Sequence, residues 1–375
     1  MRLHVDQRHE RVLALVRERG SVRVAELADA LGVSPVTLRR DVESLASQGK
    51  VRRMHGAVIW PGDAPAKQAA PGPAAADAEG LVVGMVVPTS DYYYPEVVRG
   101  AREVVEAHGA RLSIGISNYL QDEDAAQAER LVAAGADGLL LTPNWDEGMP
   151  RGAEGAWVAE QRVPTVLVER WVPHGHPAAA LDRVRSDHAI GAADAVRHLA
   201  SLGHRRVALA IQQTPTARHL TFGYEAAVEA LGLERVPTPP PEREPGEPSE
   251  GKGDRLARTL EYLCDVVARD GVTAALMHTD ADAVVLIPQL RARGVRVPDD
   301  LALIAYGDEV APLADLPLTA VAPAKRAVGA KAAELLLTRL TQARGTEGVR
   351  TARQHLDLLP ELKVRASCGA GNHHT

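Results

Sequence analysis

The groups in this chain best suited to chemistry are hydroxyls and guanidinium cations set on one short stretch, GVSPVTLRRDVESLASQGKVRRMHGA, from Gly32 to Ala57. Ser34 is a suitable N-cap and Pro35 occupies the first helical position, where its missing N–H costs nothing. In the helix this starts, Leu38, Val42 and Leu45 share one buried face, while Thr37, Arg40, Ser44 and Ser47 lie on the opposite side. That outer face is small, polar and cationic. Gly49 ends the helix, and VRRMHGAVIW reads as a short hairpin that turns Arg52 and Arg53 toward a polyanion. Guanidinium groups pair with phosphate oxygens and, bidentately, with guanine. Arg40 on the outer face suits the base edge, and Arg39 on the flank suits phosphate.

The elements before this stretch are built to hold it. Val12, Leu15 and Val16 form an apolar stripe on a helix from Gln7 to Arg19, and Val24, Leu27, Ala28 and Leu31 form another on a shorter helix. Gly32 makes the turn into the third helix, so the order is helix, turn, helix, followed by a wing. Charge follows the same division. The chain carries a formal net charge of -6, but residues 1–60 hold 11 Lys/Arg against 7 Asp/Glu and the remainder is strongly acidic. Only the first part is therefore suited to a polyanion.

The run RHERVLALVRERGSVRVAELADALGVSPVTLRRDVESLASQGKVRRMHGA resembles the winged helix-turn-helix of DeoR-type bacterial repressors over residues 8–57. The resemblance implies that Ser34, Thr37, Arg39 and Arg40 meet the major groove and its phosphates. It also implies that Arg52, Arg53 and His55 contact backbone or minor groove; His55 either does so or stabilises the wing turn. Ser44, on the same outer face, joins the DNA-facing set.

Residues 61–80, PGDAPAKQAAPGPAAADAEG, lack apolar periodicity and read as a flexible linker. From Leu81 a different rhythm begins. LVVGMVVP, RLSIGIS, DGLLLT, PTVLVE, RRVALAI, TAALM and LALIAY are strand-like runs alternating with helical patterns, including a helix expected between DGLLLT and PTVLVE. This is the pattern of α/β folding with doubly wound parallel sheets in two lobes. Ligands in such sheets sit beyond the carboxyl ends of strands, so the loops after Val87, Thr142, Glu169, Ile211, Met277 and Tyr306 are expected to converge on a cleft. The Pro- and Glu-rich stretch between Arg235 and Gly253 reads as a surface insertion or disordered loop.

The phrases SLGHRRVAL, RGVRVPDD and LPLTAV, in that order, resemble the sensor domain of LacI/GalR-type repressors, itself similar to periplasmic sugar-binding proteins, over about residues 81–366. The resemblance implies a dimeric sensor whose lobes close on a small ligand, commonly a sugar or nucleoside derivative. The expected organisation is a winged helix-turn-helix at 1–60, a linker at 61–80, a two-lobed periplasmic-binding-protein-like sensor at 81–366 and a tail at 367–375. One lobe takes 81–183 with 322–342, the other 185–318 with 352–366.

Tyr92, Tyr93 and Tyr94 follow the first strand, either as packing or as rings that stack on a sugar face. Trp145 and Trp171 stand in analogous loops. Glu169 and Arg170 end another strand, to bind hydroxyls or to pair with each other. Asp187 is better read as an N-cap than as a ligand contact. Against the family pattern, TARHLTFGY has Leu220 where an arginine is usual, with Arg218 two positions earlier. The family's Asn-Asp pair appears as Thr279-Asp280, and its acidic turn appears as AYGDE, with Gly307 in place of the first acid and Asp308 after it. The effector set is thus Tyr92, Tyr93, Tyr94, Trp145, Glu169, Arg170, Arg218, Asp280 and Asp308.

Cys264 and Cys368 have no metal spacing, and His174 and His176 have no further ligands at a recognisable spacing, so no metal or cofactor is expected. No apolar signal core or run of about 18 apolar residues appears, which leads to the expectation of a cytoplasmic protein. The reading is a ligand-responsive transcriptional regulator, a repressor and not an enzyme, whose partners are operator DNA, a sugar-like metabolite and a second copy of itself. The alternative is a sugar-phosphate sensor or sugar-metabolising enzyme joined to the same DNA module. Substituting Arg40 by Ala should flatten discrimination among operator variants in a binding assay. Arg52→Ala should instead weaken all sites alike and reduce the salt slope of affinity. Unchanged DNA affinity in both variants would remove the groove assignment.

Overall fold

In this computed structural model the described residues are 9, 11–13, 15–16, 21–23, 27, 31, 38, 42, 45, 52–54, 57–59, 80–145, 148–237, 251–344 and 351–370. The chain divides into two compact units, Met1–Ala70 and Pro71–Thr375. The expected linker before Gly80, most of the Pro- and Glu-rich stretch, and Ser34, Thr37, Arg39, Arg40, Ser44 and His55 lie outside the described residues.

In the first unit the apolar stripes meet. Val12, Val16, Leu27, Leu38, Val42 and Leu45 are all fully buried in one cluster, with Leu13, Leu15 and Leu31 packed against it. Each such side chain contributes about 1.5–3 kcal/mol through burial. The wing is a three-stranded antiparallel sheet of β1 (Ser21–Arg23), β2 (Arg52–Met54) and β3 (Ala57–Ile59), in the order β1-β3-β2. Arg52 and Arg53 stand on β2 opposite Ile59 and Val58. The hairpin is the one expected; its third strand, β1, was not read from the sequence.

The larger unit runs β4 (Val82–Val87), α1 (Tyr94–Ala107), β5 (Arg111–Ile116), α2 (Gln121–Ala133), β6 (Gly138–Leu141), β7 (Thr165–Val168), β8 (Asp182–Ser186), α3 (His188–Ser201), β9 (Val207–Ala210) and α4 (Ala217–Ala230). It continues with α5 (Lys252–Asp270), β10 (Ala274–His278), α6 (Asp280–Ala292), β11 (Ala302–Tyr306), β12 (Thr319–Ala322), α7 (Lys325–Arg344), β13 (His355–Leu358) and β14 (Glu361–Lys363). One sheet has the order β13-β8-β7-β6-β4-β5 and the other β14-β12-β11-β10-β9. Both are parallel except for the antiparallel β14 edge. β6, β7, β9, β10 and β11 are buried at every position, as strands covered by helices on both faces must be.

Three expectations are corrected. Between β6 and β7 the described residues form no α-helix, only 3-10 turns such as Ala156–Val158, because Gly148, Gly152 and Gly155 take positive φ there and break any longer helix. Segment 352–366 is not all in the second lobe: β13 pairs with β8 in the first sheet, and β14 with β12 in the second. The chain also packs beyond 366, since Ser367 donates to the Leu303 carbonyl (2.6 Å) and Cys368 is buried.

Among the described residues the backbone therefore passes between lobes after β8, after β12 and after β13. The passage into α7 is anchored on α1, where two helix backbones touch. A Cβ at Gly100 would lie 1.9 Å from the Arg326 carbonyl oxygen, and one at Gly329 would lie 1.8 Å from that of Val97. Beside this crossing Arg326 and Glu103 form two 2.8 Å bonds. Asp182, fully buried, ties the far end of α7 to β8 by accepting from Arg339 (2.7 and 2.8 Å), Arg353 (2.7 Å) and the Gln354 N–H (2.8 Å). No described helix is long and apolar enough to cross a membrane. Gly329→Ala should lower stability by about 1–3 kcal/mol, and Gly100→Ala similarly, read from the denaturant midpoint at unchanged slope.

Candidate functional site

The strand-end loops converge as the α/β rhythm requires. Tyr92 and Tyr93 follow β4, Asn144 follows β6, Glu169 follows β7, Gln212 follows β9, and His278–Asp282 and Tyr306–Glu309 end β10 and β11. Two polar bridges cross from one sheet's loops to the other's.

In the first bridge the Tyr92 hydroxyl donates to Asp280 Oδ1 at 2.5 Å. Asp280 is fully buried, and its Oδ2 accepts from the N–H groups of Val310 (2.7 Å) and Ala311 (3.0 Å). Tyr92 holds a left-handed backbone, φ 56°, that costs a non-glycine residue about 1–3 kcal/mol unless its surroundings enforce it. Gly307 explains how the phenol gets in: a Cβ there would lie 2.6 Å from the Tyr92 hydroxyl. The glycine that replaces the family's first acid is thus the space that Tyr92 uses. Burial and the neighbouring Asp280 push the Tyr92 phenol far above its ordinary value, so it remains a donor.

In the second bridge Glu169, also left-handed at φ 52°, accepts from the Tyr93 hydroxyl (2.6 Å), the Ser186 hydroxyl (2.9 Å) and the Ser186 N–H (3.0 Å). His188 Nε2 stands 3.5 Å from the same carboxylate, and its Nδ1 is 2.6 Å from the Tyr306 hydroxyl. Burial alone would raise the Glu169 carboxyl, but the bonds and charge of His188, then those of Tyr93 and Ser186, hold it below the usual range. Lys325 pairs with Glu309 and lies 5.1 Å from the Tyr93 ring centroid; burial lowers its ammonium to about 8.

The other expected effector residues fall into different places. Tyr94 is 7 % exposed and packs in the core of the first lobe, edge-on to Tyr93 at 5.4 Å, so it is not a cleft wall. Trp145 is buried against Gly155 and His176, yet its edge lines a cavity of about 430 Å³ shared with Tyr119, Asn144, Gln213 and Thr214. Arg170 does not pair with the Glu169 carboxylate. It donates to that residue's backbone carbonyl (2.7 Å), to the Tyr94 hydroxyl (3.3 Å) and to the Pro143 carbonyl. Arg218 reaches Met149 Sδ across the lobes at 2.8 Å. Asp308 is drawn away from the bridges by Lys363 (2.9 Å) and Arg365 (2.7 Å), which makes it a structural acid. Asp187 caps α3 by accepting from the Ile190 N–H at 3.1 Å, as expected.

Several site residues were not read from the sequence: Ser186, His188, His278, Tyr306, Glu309 and Lys325. Their signal was position alone, at or just after the end of a strand or at a helix start, and position does not distinguish them from caps. Thr142 Oγ1, Asn144 Oδ1, Arg170 Nη2 and His278 Nδ1 are buried and have no hydrogen-bond partner among the described residues. Burying such atoms unpaired is costly, so they mark places where a ligand's polar groups belong. His176 is occupied, with Nε2 on the Glu154 carbonyl (2.9 Å) and Nδ1 accepting from the Ala178 N–H (3.1 Å). Among the described residues no group of His, Cys, Asp and Glu is arranged to hold a metal.

Comparison with known proteins places this geometry. Residues 8–62 match the DeoR-like helix-turn-helix domain. Residues 80–243 match the periplasmic binding proteins and sugar binding domain of the LacI family, and 196–368 the periplasmic binding protein-like domain. The chain joins a DeoR-like reader to a LacI-type sensor. The arabinose metabolism transcriptional repressor of Geobacillus stearothermophilus is 24% identical over 353 residues, 91% of this chain and 89% of that protein. The regulator DegA of Bacillus subtilis is 26% identical over 292 residues, 76% of this chain and 80% of that protein. A solved complex of the transcriptional regulator CelR with cellobiose shares the fold, with TM-score 0.59 and 23% identity, over 89% of this chain and 91% of its own. The chain is a transcriptional regulator, and the sugar-metabolising alternative is set aside, because its second domain is a periplasmic-binding-protein-like sensor.

Burial, with repulsion from His188 and Arg255, lowers the His278 imidazole to about 3. The unfolded chain takes up that proton near the ordinary value of about 6.5, so stability is complete above it and declines as pH falls toward the native value. Glu169, lowered in the fold, also loses its contribution in acid, at a lower pH. The melting temperature should therefore fall between about pH 6.5 and pH 4, and His278→Gln should make that fall shallower.

Proposed function

We propose that this regulator binds a neutral, polyhydroxylated metabolite between its lobes, and that lobe closure sets the affinity of a homodimer for a repeated operator in the cytoplasm. The observation that carries the reading is the pattern of satisfied and unsatisfied groups in the cleft. The acids of the two bridges are saturated by protein donors: Asp280 by Tyr92 and two N–H groups, Glu169 by Tyr93, Ser186 and His188. Asp282 and Glu309 beside them are paired with Arg255 and Lys325. Among the buried polar atoms without a hydrogen-bond partner there are the Arg170 Nη2 and Arg255 Nε nitrogens, the Thr142 hydroxyl, the Asn144 amide oxygen and the His278 Nδ1. That mixture of donors and acceptors fits hydroxyls, which both donate and accept. Tyr119, Trp145 and Tyr92 supply aromatic surface around it.

The Tyr92–Asp280 bridge links the lobes with protein groups alone. A metabolite acts on operator binding only if it has different affinity for the closed and open states, and adding its own bonds to this bridge favours the closed state. The winged module then supplies affinity through phosphate contacts and sequence choice through Arg40 and its neighbours. Two modules held by a dimer of sensors would read two half-sites whose spacing the lobes control.

A thermal-denaturation screen with arabinose, ribose, cellobiose, adenosine and cytidine checks this. One of them should raise the melting temperature saturably without being turned over, and it should alter operator affinity. Arg170→Ala or Asn144→Ala should abolish that rise. Turnover of the stabilising compound, or a rise unchanged in both variants, would reject the cleft as the effector site.

A further inference from the structure

A second ligand position lies outside the cleft, on the free flank of the first sheet. In β8 Val184 points into the core, which turns Arg183 and Arg185 to the opposite face. Arg185 is satisfied by two 2.8 Å bonds to Asp357 on the neighbouring β13. Arg183 is not. It is only 8 % exposed, its Nε is buried without a partner, and it makes no side-chain hydrogen bond or ion pair among the described residues. The nearest acids are already engaged: Asp357 serves Arg185, and Asp182 serves Arg339 and Arg353. Burial, then the neighbouring Arg185, lower the Arg183 guanidinium, against an opposing pull from Asp357.

Arg183 borders a groove of about 510 Å³ whose other walls include Trp171, Val172, His174 and His355. His355 is the cross-strand partner of Arg183, and its Nε2 donates to the Leu181 carbonyl at 3.1 Å. The groove thus combines a buried cation, three imidazoles (His174, His355 and the already bonded His176) and an apolar wall, with no carboxylate in its lining. We propose that this groove binds the oxyanion of a small organic molecule, a carboxylate or a phosphate monoester, with Arg183 as its principal contact. The guanidinium edge that includes Nε presents two parallel N–H donors, the geometry that a carboxylate or phosphate accepts. Trp171 and Val172 would cover the organic part. The site is separate from the effector cleft and does not depend on the reading given to it.

The test uses the full chain at fixed ionic strength, titrated with inorganic phosphate, glucose 6-phosphate and benzoate, with chloride as the reference anion. At least one oxyanion should raise the melting temperature saturably, by about 2 °C or more. Response to glucose 6-phosphate but not benzoate assigns phosphate monoesters; the reverse assigns carboxylates. Arg183→Gln should lose the response while melting no lower than the parent, because it removes an uncompensated buried charge. His355→Asp, which sets a carboxylate beside Arg183, should likewise melt no lower and no longer respond. Arg353→Gln, outside the groove, should keep the response. Absence of a saturable rise with all three oxyanions, or a rise retained by both Arg183→Gln and His355→Asp, overturns the proposal.

Discussion

The larger unit depends on one carboxylate that must be fully bonded because it is buried. Glu169 is 8 % exposed, and an ionised acid so placed is tolerated only when its oxygens are occupied. Its partners come from the loop after β4, the end of β8 and the start of α3. Satisfying this group therefore fixes the relative positions of three strand ends, and His188 carries the constraint onward to Tyr306 in the second sheet. The cleft's shape follows from the electrostatics of a single acid more than from packing, since the apolar clusters lie within the lobes.

The second constraint is steric and sits where the chain changes lobes. At Gly100 and Gly329 the backbones of α1 and α7 touch, so α7 is held firmly on the first lobe just after its entry at Lys325. Lys325 itself faces Glu309 of the second lobe. One end of α7 is thus fixed by close packing while its first residue spans the gap by an ion pair, an arrangement in which lobe movement bears on charge pairs and leaves the core untouched.

Much of this was legible in the sequence. The stripes Val12–Val16, Leu27 and Leu38–Val42–Leu45 are periodic because each must cover a common core, and they form one. The runs of β6, β7, β9, β10 and β11 are almost wholly apolar because both faces are covered, so they stand out without alignment. The edge strands β13 and β14, and β8 beside the edge, did not: DRVRS, HLDL and ELK are short and charged, and only pairing with a neighbour makes them strands. The helix expected between β6 and β7 failed for a local reason, a run of glycines at positive φ.

The sequence by itself determined the two-domain order, the α/β class, the helix-turn-helix stripes and the loops that form the cleft, because these rest on periodicity and on strand-end position. It also named Tyr92, Glu169 and Asp280. Only the tertiary structure decided what those groups do: that Tyr92 binds Asp280 through the space left at Gly307, that Arg170 grips backbone carbonyls, and that Asp308 serves Lys363 and Arg365. The reason is physical. Periodicity records which face a residue occupies, whereas hydrogen bonds join residues as far apart as 92 and 280, and no local pattern encodes which buried acid a given donor will reach.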